Sequence, residues 1–70
     1  MDEWRAFHFS QANPGGERQD DVPALLRRVA DSIAELGEVQ VMDVVFRTER
    51  TSEGDSHPMT VYYLRPDTDP

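Results

Sequence analysis

The chain has 70 residues, of which 37% are hydrophobic and 30% are charged, and this size and composition are typical of one small domain. Fourteen acidic residues against seven basic ones give a net charge of -7, which disfavours binding to nucleic-acid phosphates and to anionic membrane surfaces. Cysteine and lysine are both absent, which excludes disulfide bonds and Schiff-base catalysis. No run of about 18 apolar residues could span a membrane, so we expect a cytoplasmic protein.

The first predicted strand covers residues 4–10 and has aromatic residues on both faces. Alternation places Phe7 and Phe9 on one face. The other face has the remaining side chains of the strand: Trp4, Ala6, His8 and Ser10. Residues 11–21 follow and contain a Pro-Gly-Gly sequence and several charges, which predicts a flexible loop.

The clearest signals in the sequence predict a helix from Val22 to Leu36. Asp20 and Asp21 can cap its first turn, and Pro23 is tolerated there because its missing N–H would have no partner within the helix. Gly37 predicts a left-handed stop. One face of the helix has an apolar stripe that consists of Leu25, Val29, Ile33 and Leu36.

The second predicted strand begins at Val39 and is apolar on both faces. Strict alternation would place Val39, Val41 and Val45 on one face. The opposite face would then have Met42, Val44 and Phe46. Such a pattern indicates a strand that is buried on both sides.

The remainder of the chain predicts a polar arm, a turn and a third strand. Residues 47–51 are polar on both faces, and residues 52–57 have the composition of a hairpin loop. In the third strand, at 59–64, alternation separates Met59, Val61 and Tyr63 from Thr60, Tyr62 and Leu64. We expect residues 66–70 to be frayed.

These elements predict a single α+β domain over residues 1–70, with the order strand, helix, strand, strand. A right-handed crossover makes the first two strands parallel, and a third strand between them gives a split β-α-β unit with sheet order 1-3-2. One helix covers only one sheet face, so the domain is expected to form a homodimer or a higher oligomer through the other face or through an edge strand. The candidate interface residues are Val39, Val41, Met42, Val44, Val45, Phe46 and Tyr62.

No catalytic residue, metal site or cofactor is predicted. His8 and Ser10 share a strand face that Asp43 could approach, but nothing around Ser10 resembles a nucleophile elbow. Asp55 and His57 form an Asp-x-His pair in the hairpin loop, which is too few ligands for a defined metal site. Asp43 interrupts an apolar face, and we interpret it either as part of an interfacial ion pair or as an acid in a ligand pocket.

Two hypotheses about function follow. The first is a small acidic homo-oligomer that acts through protein–protein interaction, as a binding or regulatory module without catalytic activity. The alternative is a flat aromatic ligand, or a minor enzymatic site, at the subunit interface. Its candidate residues are Trp4, His8, Asp43 and Tyr63.

In element order and length the chain resembles dodecin, a small flavin-binding oligomer built from a strand, a helix and two strands. Dodecin-like proteins have their flavin-stacking tryptophan in the second strand, whereas the single tryptophan of this chain, Trp4, lies in the first. No dodecin site residue is therefore transferred to this chain.

Overall fold

A computed structural model describes residues 4–66. It has one helix and five strands in the described part of the chain: β1 (Trp4–Gln11), α1 (Val22–Glu35), β2 (Gln40–Phe46), β3 (Glu49–Thr51), β4 (Gly54–Ser56) and β5 (Met59–Pro66). The predicted α+β class is confirmed. Pro66 is the last residue of β5, and the rest of the tail predicted to fray, residues 67–70, lies outside the described residues.

The main sheet has the order β1-β5-β2, and β5 is antiparallel to both of its neighbours. Because β5 is the predicted third strand, this is the predicted order 1-3-2 with two short strands inserted. Those strands, β3 and β4, pair with each other in a separate hairpin between β2 and β5. Residues 54–56 are therefore a strand, whereas the sequence predicted a loop; pairing with β3 supplies their main-chain hydrogen bonds.

Helix α1 has the caps that the sequence predicts. The Asp21 carboxylate accepts a hydrogen bond from the main-chain N–H of Ala24 at 3.1 Å, and Pro23 lies in the first turn. Gly37 follows the helix with φ of +80°, a conformation that side chains with a Cβ rarely adopt. The helix ends at Glu35, one residue before the predicted end, and Leu36 is its C-cap residue.

The core lies between the helix and the central strand. Leu25 and Val29 of α1 are buried against three residues of β5, which are Met59, Val61 and Tyr63. Partly buried hydrophobic side chains surround this cluster: Phe9, Ile33, Leu36 and Val39. No helix within residues 4–66 is long and apolar enough to cross a membrane.

A register shift in β2 changes the faces that simple alternation predicts. Val41 pairs with Tyr63 and Asp43 pairs with Tyr62, so Met42 is the extra residue of a β-bulge. Val41 consequently lies on the helix side of the sheet. The prediction that Val41 and Val45 share a face is wrong. Val45 pairs with Thr60 on the helix-free face.

The loop between β1 and α1 has defined hydrogen bonds to both the helix and the hairpin. The Asn13 amide donates to the main-chain oxygen of Asp21 at 2.8 Å, and Arg28 of the helix donates to Asn13 Oδ1 at 2.8 Å. Gln19 is buried and donates from Nε2 to the main-chain oxygen of Asp55 in β4, also at 2.8 Å. These contacts position the hairpin arm against the loop. The flexibility of residues 11–21 stays a prediction.

Candidate interaction surface

Three side chains of β2 lie on the helix side of the sheet without being covered by the helix. Their partners in register on β5 are the core residues Tyr63, Val61 and Met59. Val41, Val44 and Phe46 themselves are 41%, 44% and 47% exposed. The helix therefore covers the central strand and leaves the β2 edge of the same sheet face exposed.

Leu26 extends this open surface onto the helix. It is 47% exposed, although its neighbour Leu25 is fully buried. At about 100° per residue, Leu26 and Arg28 lie on opposite flanks of the stripe centred near Leu25. Arg28 binds the segment that follows β1, donating to the main-chain oxygen of Ala12 at 3.1 Å. The flank with Leu26 therefore faces β2, and we define the uncovered strip as Leu26, Val41, Val44 and Phe46.

One end of the uncovered strip is held in place by the hairpin. The Phe46 ring stacks on the His57 ring, with the ring centroids 5.4 Å apart and an interplanar angle of 11°. His57 Nδ1 is in turn 3.2 Å from Thr48 Oγ1, at hydrogen-bond distance. His57 thus contacts Phe46 and Thr48, and it orients an exposed aromatic ring of the strip.

Exposed apolar surface is large for a chain of this size. Among residues 4–66, five hydrophobic side chains are buried, whereas eight large hydrophobic side chains are exposed. The accessible surface is 5288 Å², whereas a compact monomer of 8.0 kDa should expose about 4,500 Å². Part of this excess comes from the projecting hairpin arm.

The helix-free face has a row of polar and aromatic side chains across all three strands. His8 of β1 lies opposite Tyr62 of β5, with ring centroids 5.7 Å apart, and Asp43 of β2 lies opposite Tyr62 on its other side. His8 and Asp43 are two strand spacings apart, about 10 Å. In the neighbouring row, the Ser10 hydroxyl is 2.7 Å from that of Thr60. The set of Ser10, His8 and Asp43 is therefore not assembled as a triad.

The four predicted ligand residues are only partly brought together. His8 and Asp43 lie in one row with Tyr62 between them. Tyr63 is buried on the opposite face, where its ring stacks on Phe7 with centroids 5.7 Å apart. Trp4 is 45% exposed and lies four residues before His8 along β1, a distance of about 13 Å. The aromatic neighbour of His8 is therefore Tyr62, whereas the predicted set of ligand residues contained Tyr63.

The predicted interface residues occupy four different environments. Val41, Val44 and Phe46 belong to the uncovered strip, and Met42 at the bulge is 58% exposed. Val39 packs against the core. The remaining two, Val45 and Tyr62, lie on the helix-free face. The sequence did not indicate Leu26 as an interface residue, because an amphipathic stripe does not show which of its flanks the sheet leaves uncovered.

A polar cavity of about 350 Å³ lies at the junction of the loop and the hairpin. Its lining is mostly acidic and consists of Gly16, Glu17, Gln19, Asp20, Glu53, Gly54 and Asp55. Within residues 4–66, no group of three or more histidine, aspartate or glutamate side chains is arranged to hold a metal ion. His57, which the sequence placed near Asp55 as a possible ligand, stacks on Phe46 instead.

Comparisons with known proteins found no relative of this chain. Neither a protein-family model, nor a curated protein, nor a solved structure matches the chain.

Proposed function

We propose that the chain is a small acidic homo-oligomeric binding module that acts through protein–protein interaction and has no chemistry of its own. The observation that supports this proposal is the excess of exposed over buried large hydrophobic side chains, concentrated along β2. Monomeric proteins rarely expose contiguous apolar patches of more than a few hundred Å², and larger patches are typical of interaction sites.

The size of the domain supports the same proposal. A core of five buried hydrophobic side chains is small, and domains of this length usually depend on disulfides, metals or oligomerisation for stability. The chain has no cysteine. Association of copies would bury further apolar surface and add to the stability of each fold.

The melting temperature of the purified chain as a function of concentration tests this proposal. If folding is coupled to association, the melting temperature rises as protein concentration rises, because mass action favours the assembled native state. A melting temperature that stays constant over a hundredfold range of concentration would overturn the proposal. The binding role is tested by cross-linking in cell extract, where recovery of the chain alone would count against a further protein partner.

A second candidate function is binding of a flat aromatic ligand on the helix-free face, and the adjacent His8 and Tyr62 rings favour it. Asp43 would add a carboxylate that accepts a hydrogen bond from such a ligand. Absorbance of the purified protein between about 300 and 500 nm tests for a retained ligand, since flat conjugated molecules absorb there and protein side chains do not. His8→Ala should remove that absorbance, and Thr48→Ala should not.

A further inference from the structure

We propose that Tyr62 and Asp43, on the helix-free face of the main sheet, form a docking site for an arginine side chain of a basic partner protein. This inference rests on the proposed binding function and adds to it the chemistry of the partner. The Tyr62 ring stacks on the planar guanidinium group, and the Asp43 carboxylate accepts its hydrogen bonds.

The register of the sheet brings the ring and the carboxylate together. Asp43 of β2 lies directly opposite Tyr62 of β5. Side chains at such paired positions project from the same face, with Cβ atoms about 5 Å apart. Tyr62 is 45% exposed, and Asp43 is exposed as well. One guanidinium group can therefore contact the ring and the carboxylate at the same time.

The Asp43 carboxylate has no partner in the described part of the chain. Within residues 4–66 it takes part in no ion pair or hydrogen bond. The two adjacent rows on this face are uncharged, and they consist of Ser10, Thr60 and Val45 on one side and Ala6, Leu64 and Gln40 on the other. An interfacial ion pair, one of the two interpretations of Asp43 from the sequence, thus requires a cation from a partner.

The charge of the chain favours a basic partner. At a net charge of -7, the chain attracts cationic surfaces and repels acidic ones. A second copy has the same net charge, so electrostatics opposes it at this site. The site therefore fits a basic segment of a different protein.

The flat ring beside a carboxylate favours arginine over lysine. A guanidinium group is planar, stacks on aromatic rings and presents several N–H donors in one plane to a carboxylate. An ammonium group is compact and more strongly hydrated. We therefore expect arginine peptides to bind more tightly than lysine peptides of the same charge.

Titration of the isotopically labelled chain with three peptides, followed by NMR, tests the site. The probes are triarginine, trilysine and tricitrulline, and citrulline keeps the planar shape of arginine without its charge. We expect triarginine to bind most tightly and to shift the resonances of Tyr62, Asp43 and the adjacent His8 most strongly. Trilysine should bind about twofold to fivefold more weakly, and tricitrulline should not bind.

Substitutions separate this site from general electrostatic attraction. Asp43→Asn removes the carboxylate at nearly constant shape, and Asp31→Asn removes the same charge from an exposed position on α1. Asp43→Asn should weaken triarginine binding about fivefold, whereas Asp31→Asn should weaken it less than about twofold. Tyr62→Leu should abolish the preference for arginine over lysine. Circular dichroism establishes whether each variant is folded, and Asp43→Asn decides the question if Tyr62→Leu does not fold.

Three outcomes would overturn the inference. The first is equal binding of triarginine and trilysine together with equal effects of Asp43→Asn and Asp31→Asn, because net charge alone would then explain the binding. The second is a set of resonance shifts at the polar cavity instead of at Tyr62. The third is dissociation of the self-associated chain by triarginine, which would assign the arginine to another copy instead of a different protein.

Failure of this inference can be distinguished from failure of the proposed function. The concentration dependence of the melting temperature tests the homo-oligomer without any peptide. If that dependence is present and triarginine does not bind, the homo-oligomer stands and the arginine site is overturned. If triarginine binds at Tyr62 and the melting temperature is constant, the arginine site stands and the homo-oligomer fails.

Discussion

The Gln19 side chain donates a hydrogen bond from Nε2 to the main-chain oxygen of Asp55 at 2.8 Å, and this bond joins the loop before α1 to the hairpin arm. Gln19 is only 6% exposed, and its Oε1 accepts a hydrogen bond from the Gly16 N–H at 3.2 Å. A single buried amide thus links two segments that are distant in the sequence.

Gln19→Ala should lower the free energy of unfolding by about 1 to 3 kcal/mol, because it leaves the Asp55 carbonyl and the Gly16 N–H without their partner. Urea denaturation measures this change. Gln40→Ala, at an exposed position at the start of β2, is the control and should change stability by less than about 0.5 kcal/mol. Equal effects of the two substitutions would show that the Gln19 bonds add nothing to stability.

Leu25→Ala should destabilise the fold by about 2 to 5 kcal/mol, since Leu25 is fully buried in the core and truncation leaves a cavity. Arg27→Ala, on the exposed side of the same helix, should have little effect. Both are measured by urea denaturation at one fixed protein concentration, so that the proposed association would affect the two measurements equally. A cost below about 1 kcal/mol for Leu25→Ala would contradict the assignment of the core.

Gly37→Ala should cost about 1 to 2 kcal/mol because φ at this position is +80°. A Cβ placed there would have no atom within 4 Å, so the cost comes from the backbone conformation alone. Gly37→Asn should cost less, since asparagine tolerates the left-handed region better than alanine. Thermal denaturation of the native chain and of the two variants measures these costs. Equal melting temperatures for Gly37→Ala and Gly37→Asn would contradict this explanation.

The pKa of Asp21 lies below its ordinary value of 3.8. The main cause is the hydrogen bond that Arg18 donates to the Asp21 carboxylate at 2.7 Å, and a second cause is the hydrogen bond that the Ala24 N–H donates to the same carboxylate. A lowered pKa in the folded state means that ionised Asp21 adds stability above pH 3.8, and that this contribution is lost as pH falls through the folded-state pKa. Asp21→Asn should therefore flatten this part of the acid dependence of the melting temperature. An unchanged pH profile in the variant would contradict this role for Asp21.

The helix and the strand order could be predicted from the sequence because their causes are local or general. Asp21, Pro23 and Gly37 act within one turn of the helix ends, and the right-handed crossover restricts the sheet to few arrangements. The hairpin pairing of residues 54–56 was missed because these residues, Gly54 to Ser56, have turn composition rather than strand composition.

The faces of β2 could not be predicted in full, because a β-bulge depends on how hydrogen bonds form with the neighbouring strand. Alternation alone placed Val41 on the same face as Val45, whereas the two lie on opposite faces of the sheet. The exposure of Leu26 depends on the lateral position of the helix over the sheet, and no residue pattern within the helix reports it. The burial of Gln19 was equally hidden, since glutamine is mostly exposed in proteins.

Sedimentation equilibrium of the unmodified chain at several concentrations measures the proposed self-association. We expect the mass to rise from the 8.0 kDa of one chain toward that of a dimer or a higher oligomer as concentration rises. A mass that remains at 8.0 kDa at every concentration, with the chain folded, would contradict it.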